Sequence, residues 1–247
     1  MIVNPKDHST TKAKPTNLIV YFAIIILVGL TASLAGQKIL NTHNKSNKEQ
    51  ERLLREELKD ITTLEVATSY IKKKEGFKAA PYRCSAGAKT IGYGDTAYMR
   101  EFPQAKSISE QEASTRLTLK VTELKSSLDE YSVQVGSKKI TYAEGLEATQ
   151  KAALISFIYN LGSSAYKDSA LKEKIDQKLF IEAKLKKDYS KNPRYKDRLL
   201  KDLKYTNVLI QREFAKWSKI KSGKSYNKLN SLEERRREEA RMFLAAS

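Results

Sequence analysis

An unbroken apolar run is the first regularity along the chain. Residues 18–36, LIVYFAIIILVGLTASLAG, carry no charge over nineteen positions, close to the length a helix needs to cross a bilayer. The first half is rich in Ile, Leu and Val. The second softens into Gly29, Thr31, Ala32, Ser33, Ala35 and Gly36. Beyond it, residues 41–60 are strongly charged, with Leu53, Leu54 and Leu58 at helical spacing, and predict an exposed helical connector. From residue 62 the pattern predicts a folded domain. Thr63 is placed to cap a helix with Leu64, Ala67 and Ile71 on one face, ending at Lys74-Glu75-Gly76. In residues 80–96, glycines together with Thr90, Ile91 and Tyr93 predict a small twisted hairpin. Ser109 followed by Glu112 is a capping-box pattern opening a long helix to about Tyr131. Residues 132–141, including Gly136, read as less regular.

Residues 149–161 are apolar nearly all round, through Ala152, Ala153, Leu154, Ile155, Phe157 and Ile158, which predicts a buried central helix stopping at Asn160-Leu161-Gly162. Residues 169–219 predict Lys-rich helices broken at Asn192-Pro193, anchored by Phe214 and Trp217. Residues 222–230 read as a loop. Ser231 with Glu234 repeats the capping box and opens a last helix, with Leu232, Ala240, Phe243 and Leu244 as its apolar contacts. The expected organisation is a polar tail at 1–16, an apolar span at 17–39, a charged connector at 40–61 and one domain at 62–247. Its class is α+β, mostly α.

Charge narrows the partners without choosing one. Across 247 residues the formal net charge is +17, with 40% hydrophobic and 30% charged positions. Such an excess favours polyanions: nucleic acid, an anionic membrane face or an anionic wall polymer. No nucleic-acid-binding motif accompanies it, so nucleic acid is not an expected partner. Three fates are open for residues 18–36: a signal cleaved after Ala35, a permanent anchor, or a weakly held anchor that later leaves the membrane. Lys and Arg flank both sides, so charge does not orient the span.

The chemistry is bounded by what is scarce. Cys84 is the single cysteine, so an intramolecular disulfide and a Cys-based zinc cluster are both excluded. The only histidines, His8 and His43, lie beside the apolar run, outside the expected domain. A His-dependent zinc hydrolase or a Ser-His-Asp hydrolase therefore has no histidine where its chemistry would sit. No metal and no cofactor are expected.

Cleaving a glycosidic bond instead needs an acid for the leaving oxygen and a group opposite that traps the oxocarbenium-like centre or activates water. A glutamate at a helix end with apolar packing behind it suits the first role, and Glu75 is so placed. Taken singly the residues are ordinary. A helix-end glutamate is usually a solvated charge, a lone cysteine a small buried apolar residue, and Thr90 a plain strand residue.

Together, Glu75, Cys84 nine positions on and Thr90 six further resemble the motif of the phage-type (T4-like) lysozymes of glycoside hydrolase family 24, which is a Glu, an Asp or Cys, then a Thr. Glu75-Gly76 after a helix, Tyr82 two before the cysteine and Thr90-Ile91-Gly92-Tyr93-Gly94 match the surroundings. Residues 150–162, with Phe157 and Asn160-Leu161-Gly162, resemble the family's central helix. Arg235-Arg236-Arg237, Glu239 and Phe243-Leu244 resemble its terminal helix. The resemblance runs from Thr63 to Leu244. It implies a two-lobed domain, with a small β-hairpin lobe and a helical lobe, behind one transmembrane helix.

It also implies roles. Glu75 is the general acid, Cys84 the nucleophile or water-activating partner, and Thr90 the residue that positions water. Tyr82, Asp95, Asn160 and Arg236 are substrate-binding or auxiliary, and one arginine of 235–237 contacts Glu75. A thiol ordinarily ionises near pH 8.5, so a cysteine matches an aspartate's charge at neutral pH only where nearby cations favour the thiolate, and Lys73, Lys89 and Arg83 are the candidates. Two further departures stand out: Asp95 occupies the place of the family's usual histidine, and residues 188–203 read as a Lys-rich insertion. The implied function is a monomeric endolysin that hydrolyses peptidoglycan. It would be held in the bacterial inner membrane through residues 18–36 with its domain facing the periplasm, retained or released, or in the host's membrane if the chain belongs to a phage. A catalytically weak wall-binding membrane protein with the same fold, and a lytic transglycosylase, are the alternatives.

Overall fold

The computed structural model describes residues 47–84, 87–186, 192–222, 225–228 and 230–245. The polar tail and the apolar span, including residues 18–36, lie outside them. No helix among the described residues is long and apolar enough to cross a membrane. The chain separates into two compact units, Met1–Arg55 and Glu56–Ser247. Of the first, the described part is the opening of helix α1 (Asn47–Glu75), where Arg52 pairs with Glu49 at 2.7 Å.

The connector and the first domain helix are one element, because α1 runs without a break from Asn47 to Glu75. Thr63 therefore caps nothing. It is fully buried in mid-helix, where its hydroxyl donates to the Lys59 carbonyl at 2.7 Å. A buried threonine in a helix satisfies its hydroxyl on the preceding turn in this way, and the sequence alone does not separate that from an N-cap. Hairpin β1 (Lys78–Arg83) and β2 (Lys89–Gly92) follows, antiparallel, with Tyr82 opposite Thr90. Short helix α2 (Thr96–Glu101) comes next, and no expectation covered it.

Helix α3 (Glu110–Asp129) starts on Ser109, whose hydroxyl accepts from the Glu112 amide at 3.1 Å. Residues 132–141, expected to be irregular, form a second hairpin, β3 (Ser132–Val135) with β4 (Lys138–Thr141), turned on Gly136. A one-turn helix α4 (Tyr142–Gly145) leads into α5 (Ala148–Leu161), where residues 151–158 are all buried. Then come α6 (Ser163–Lys167), α7 (Ala170–Lys186) and α8 (Pro193–Lys216), the last capped by Asn192 with Pro193 in its first turn. Residues 193–203 are thus the opening turns of a helix that carries Phe214 near its far end. Of residues 222–230, read as a loop, Ser222 ends β5 (Lys219–Ser222) and 225–228 form β6 (Ser225–Lys228), which pair antiparallel as a third hairpin. The last helix, α9 (Asn230–Leu244), begins before Ser231, so that serine sits in the first turn and is not its cap. Among the described residues the fold is mostly helical, with small antiparallel hairpins.

The core is built around α5. Phe157 takes Tyr166, Phe214 and Trp217 edge-on at centroid distances of 6.2, 5.6 and 5.7 Å, and Phe214 in turn packs on Phe243 of α9. Such tilted aromatic contacts add to the burial of large apolar surface. Charge is buried as well. The Lys151 ammonium, 1% exposed, stands 2.9 Å from Asp129 and 3.7 Å from Asp60, and Lys125 reaches both at 2.8 Å. This cluster ties α1, α3 and α5 together at the end remote from Glu75.

Candidate active site

Glu75 is the last residue of α1, and the backbone turns off the helix at Gly76, whose amide donates to the Lys72 carbonyl. Its side chain is 21% exposed and accepts from Arg235 Nη1 at 2.7 Å. On the other side lies Gly94, at φ +86°, where an added Cβ would stand 3.5 Å from Glu75 Oε2. Glycine is the residue that takes this left-handed conformation without cost and leaves room beside a carboxylate. Gly92, at φ +63°, permits a second close approach: a Cβ there would fall 2.9 Å from Ala113 Cβ. The hairpin is thus pressed onto α3 on one side and presented to Glu75 on the other.

Arg235 does not act alone. Its Nε donates to Glu239 Oε1 at 3.1 Å, and its Nη2 reaches the carbonyl and hydroxyl of Ser156, each at 3.3 Å. The Ser156 hydroxyl donates to the same Glu239 oxygen at 2.7 Å. Arg236 Nη1 donates to Glu239 Oε2, its Nη2 donates to Asn160 Oδ1, and its guanidinium lies over the Phe157 ring at 4.9 Å. Glu239 and Arg236 are fully buried. Burial works against the charge of Arg235, but the carboxylates of Glu75 and Glu239 outweigh it and hold the guanidinium above its ordinary pKa. In Arg236 burial wins, and its pKa lies below the ordinary value.

These contacts separate the three arginines. Arg235 is the one that meets Glu75. Arg236, expected like Asn160 to be substrate-binding or auxiliary, is fully buried and donates to the half-buried Asn160, a contact that joins α9 to α5. Arg237 points outward and meets Glu233 at 3.4 Å. Helical phase decides this, since only two of three consecutive positions can face the core.

On the hairpin, Thr90 is 2% exposed and its hydroxyl donates to the Ala88 carbonyl at 3.1 Å. Cys84 is half-buried at the strand end, its amide donating to Ala88 and its carbonyl accepting from Gly87. The Tyr82 phenol senses the whole group. Burial, then the charge of Glu75, push its pKa up, contact with the Thr90 hydroxyl pulls it back, and Cys84 adds a smaller push. Lys78 lies over the Tyr82 ring at 4.2 Å. Of the cations expected near the thiol, Arg83 donates to the Gly87 carbonyl at 2.7 Å and Lys89 to Pro103 at 3.0 Å, while Lys73 is exposed.

Asp95 has structural duties. Oδ1 accepts from the Tyr98 amide at 2.9 Å, capping α2, and Oδ2 accepts from Arg116 Nε at 2.7 Å. Each oxygen thus holds one partner that belongs to the fold. Pattern reading did not single out Tyr159. Its hydroxyl donates to the Tyr93 carbonyl at 2.6 Å, and burial followed by the charge of Glu75 raise its pKa. Ser156 and Glu239 were also missed in these roles, because a serine inside an apolar helix and a glutamate in a charged one carry no local sign of being paired.

The Phage lysozyme family model matches residues 72–193. This segment is lysozyme-like. It takes in Glu75, Tyr82, Cys84, Thr90, Asp95 and Asn160, and stops short of Arg235, Arg236 and Glu239. Similar solved structures are the endolysin from Escherichia coli O157:H7 phage FAHEc1, with 21% identity and a TM-score of 0.48 over 74% of this chain and 92% of that one; the muramidase domain of SpmX from Asticaccaulis excentricus, with 18% identity and a TM-score of 0.46 over 72% and 94%; and a P22 lysozyme, with 23% identity and a TM-score of 0.44 over 72% and 94%. No curated protein sequence matches the chain.

Proposed function

We propose that the protein is a lysozyme of the glycoside hydrolase family 24 kind, acting as an endolysin on the β-1,4 bond between N-acetylmuramic acid and N-acetylglucosamine in peptidoglycan. The observation that carries the reading is Glu75, an acid at a helix end, one-fifth exposed, clamped from behind by Arg235 and facing the hairpin that bears Cys84 and Thr90. The family match over residues 72–193 supports the same chemistry.

In this scheme Glu75 gives its proton to the leaving oxygen as the bond from C1 breaks, and Arg235 stabilises the carboxylate left behind. Cys84 acts from the opposite side, as nucleophile or as the base that activates water. A water supplies the hydroxyl that ends on C1 and, in net, the proton that restores Glu75. Thr90, whose hydroxyl is held by the Ala88 carbonyl, is the residue that positions that water. Residues 18–36 anchor the chain in the inner membrane with the domain on the outer side, supported by their nineteen uncharged positions.

Turbidity loss of purified peptidoglycan with the natural chain, Glu75→Gln and Cys84→Ala tests the reading. Loss of activity in Glu75→Gln is expected, and equal rates would overturn it. Product masses bearing added water mark hydrolysis, whereas 1,6-anhydro ends would mark a transglycosylase. Replacing residues 18–36 by a conventional cleaved signal should give constitutive lysis, and unchanged timing would refute the anchor.

A further inference from the structure

Helix α8 carries a feature that wall cleavage does not use. Arg194, Arg198, Lys201, Tyr205, Val208 and Arg212 recur at intervals of four, three, four, three and four, which sets all six in one line along the helix. That line is the outward one. Every member is exposed, Tyr205 to 62% and Val208 to 40%, while Leu199, Thr206, Ile210 and Phe214 on the opposite side are buried. Lys204, also exposed, flanks the line. Two exposed acids border it: Asp197, a turn from both Arg194 and Lys201, and Asp202, which stands 4.0 Å from Arg198, at the limit of an ion pair.

We propose that this strip is a docking surface for an anionic lipid bilayer. Cations alone are content in water, and a solvated helix face has no use for a tyrosine and a valine held among them. At a bilayer surface the two kinds of residue act together: Lys and Arg meet lipid phosphates while Tyr205 and Val208 enter the headgroup boundary. A phosphate polymer, whether wall polymer or nucleic acid, would engage the cations but gives aliphatic side chains nothing to enter. From 194 to 212 the line is about 27 Å long at ~1.5 Å per residue, enough to lie flat along a membrane. The net charge of +17 favours the same anionic surface. Neither Glu75 nor Cys84 takes part, so docking and wall cleavage are separable.

The test reads position 205 and not total binding, because residues 18–36 can enter any vesicle. The full chain with Tyr205→Cys and Cys84→Ser carries an environment-sensitive dye at 205. Its emission should shift to the blue on phosphatidylglycerol–phosphatidylethanolamine vesicles and stay unchanged on phosphatidylcholine vesicles. Salt at about 0.5 M, where screening is short-ranged, should abolish the shift. Lys201→Glu with Arg212→Glu should remove it, the neutral pair Lys201→Gln and Arg212→Gln should reduce it, and Val208→Ser should weaken it. In chains with Cys84 intact, these exposed substitutions should leave cleavage of purified peptidoglycan unchanged. No shift on anionic vesicles, an equal shift on phosphatidylcholine, or a full shift with soluble polyphosphate or DNA in place of vesicles would each overturn the proposal.

Discussion

Arg235 Nη1 stands 2.7 Å from Glu75 Oε1, although 160 positions separate the two residues in the chain. Through this contact the last helix fixes the acid presented by the first. The guanidinium is 6% exposed and also holds Glu239, which has no exposure at all. Removing one partner leaves a buried charge behind, at a cost of about 3–5 kcal/mol. Arg235→Ala should therefore lower thermal stability strongly and reduce peptidoglycan cleavage at least tenfold. Arg235→Lys keeps the charge but loses the fork that reaches two carboxylates, so it should rescue only part of either. Melting curves and turbidity assays on the same preparations check both.

Ser156 and Glu239 form the second tier of that support, joined at 2.7 Å in the core. Ser156→Ala removes a buried hydrogen bond to a charged group and should cost about 1.5–3 kcal/mol. Glu239→Gln should cost more, because two buried arginines share that carboxylate. Since both act on one network, the double variant should be destabilised by less than the sum. A double-mutant cycle in urea measures it, and simple additivity would show that the network is not coupled.

Gly94→Ala should damage the site more than the fold. At φ +86° an alanine is strained by roughly 1–3 kcal/mol, and its methyl group would abut Glu75 Oε2. The expected result is a modest fall in melting temperature with a larger fall in turnover, read by comparing unfolding with the cleavage rate per folded molecule.

Asp95→Ala should do the reverse. Losing the α2 cap costs about 1–2 kcal/mol, and Arg116 keeps Glu101 at 3.0 Å. Cleavage per folded molecule should stay within a few-fold of the natural chain. A loss of a hundredfold or more would place Asp95 in the chemistry after all.

The Glu238 carboxylate gives a pH-dependent link between α1 and α9. Burial pushes its pKa up, but the hydrogen bonds from Lys74 and Tyr70 outweigh that and hold it below the ordinary carboxylate value. A depressed folded-state pKa means the stabilisation is fully present above the unfolded value near 4.5. It disappears as pH falls through the folded value. The melting temperature of the natural chain minus that of Glu238→Gln should therefore be positive at neutral pH and shrink toward zero in acid. A pH-independent difference would refute the linkage.

The motif and the helices that bracket it were legible in the chain. Glu75, Cys84 and Thr90 sit on one short stretch whose glycines mark its turns, and an all-round apolar pattern marks the central helix. The Ser109 cap and the Phe214 anchor were equally visible, because each depends on neighbours within a turn or two. The hairpins at 132–141 and 219–228 were not, since four-residue strands rich in polar side chains carry too little alternation to be told from loops.

Sequence by itself determined which side chains are available: one acid at a helix end, one thiol, no histidine in the domain, three consecutive arginines near the far terminus. What those arginines do was decided only by tertiary structure. Helical phase and the packing of α9 on α5 sent Arg235 to Glu75, Arg236 into the core against Glu239, and Arg237 to solvent. The fold likewise set Asp95, at the start of α2, against Arg116 of α3. The reason is physical: a local pattern records the preferences of adjacent residues, whereas the partner of a buried charge is whatever the folded chain brings within about 3 Å.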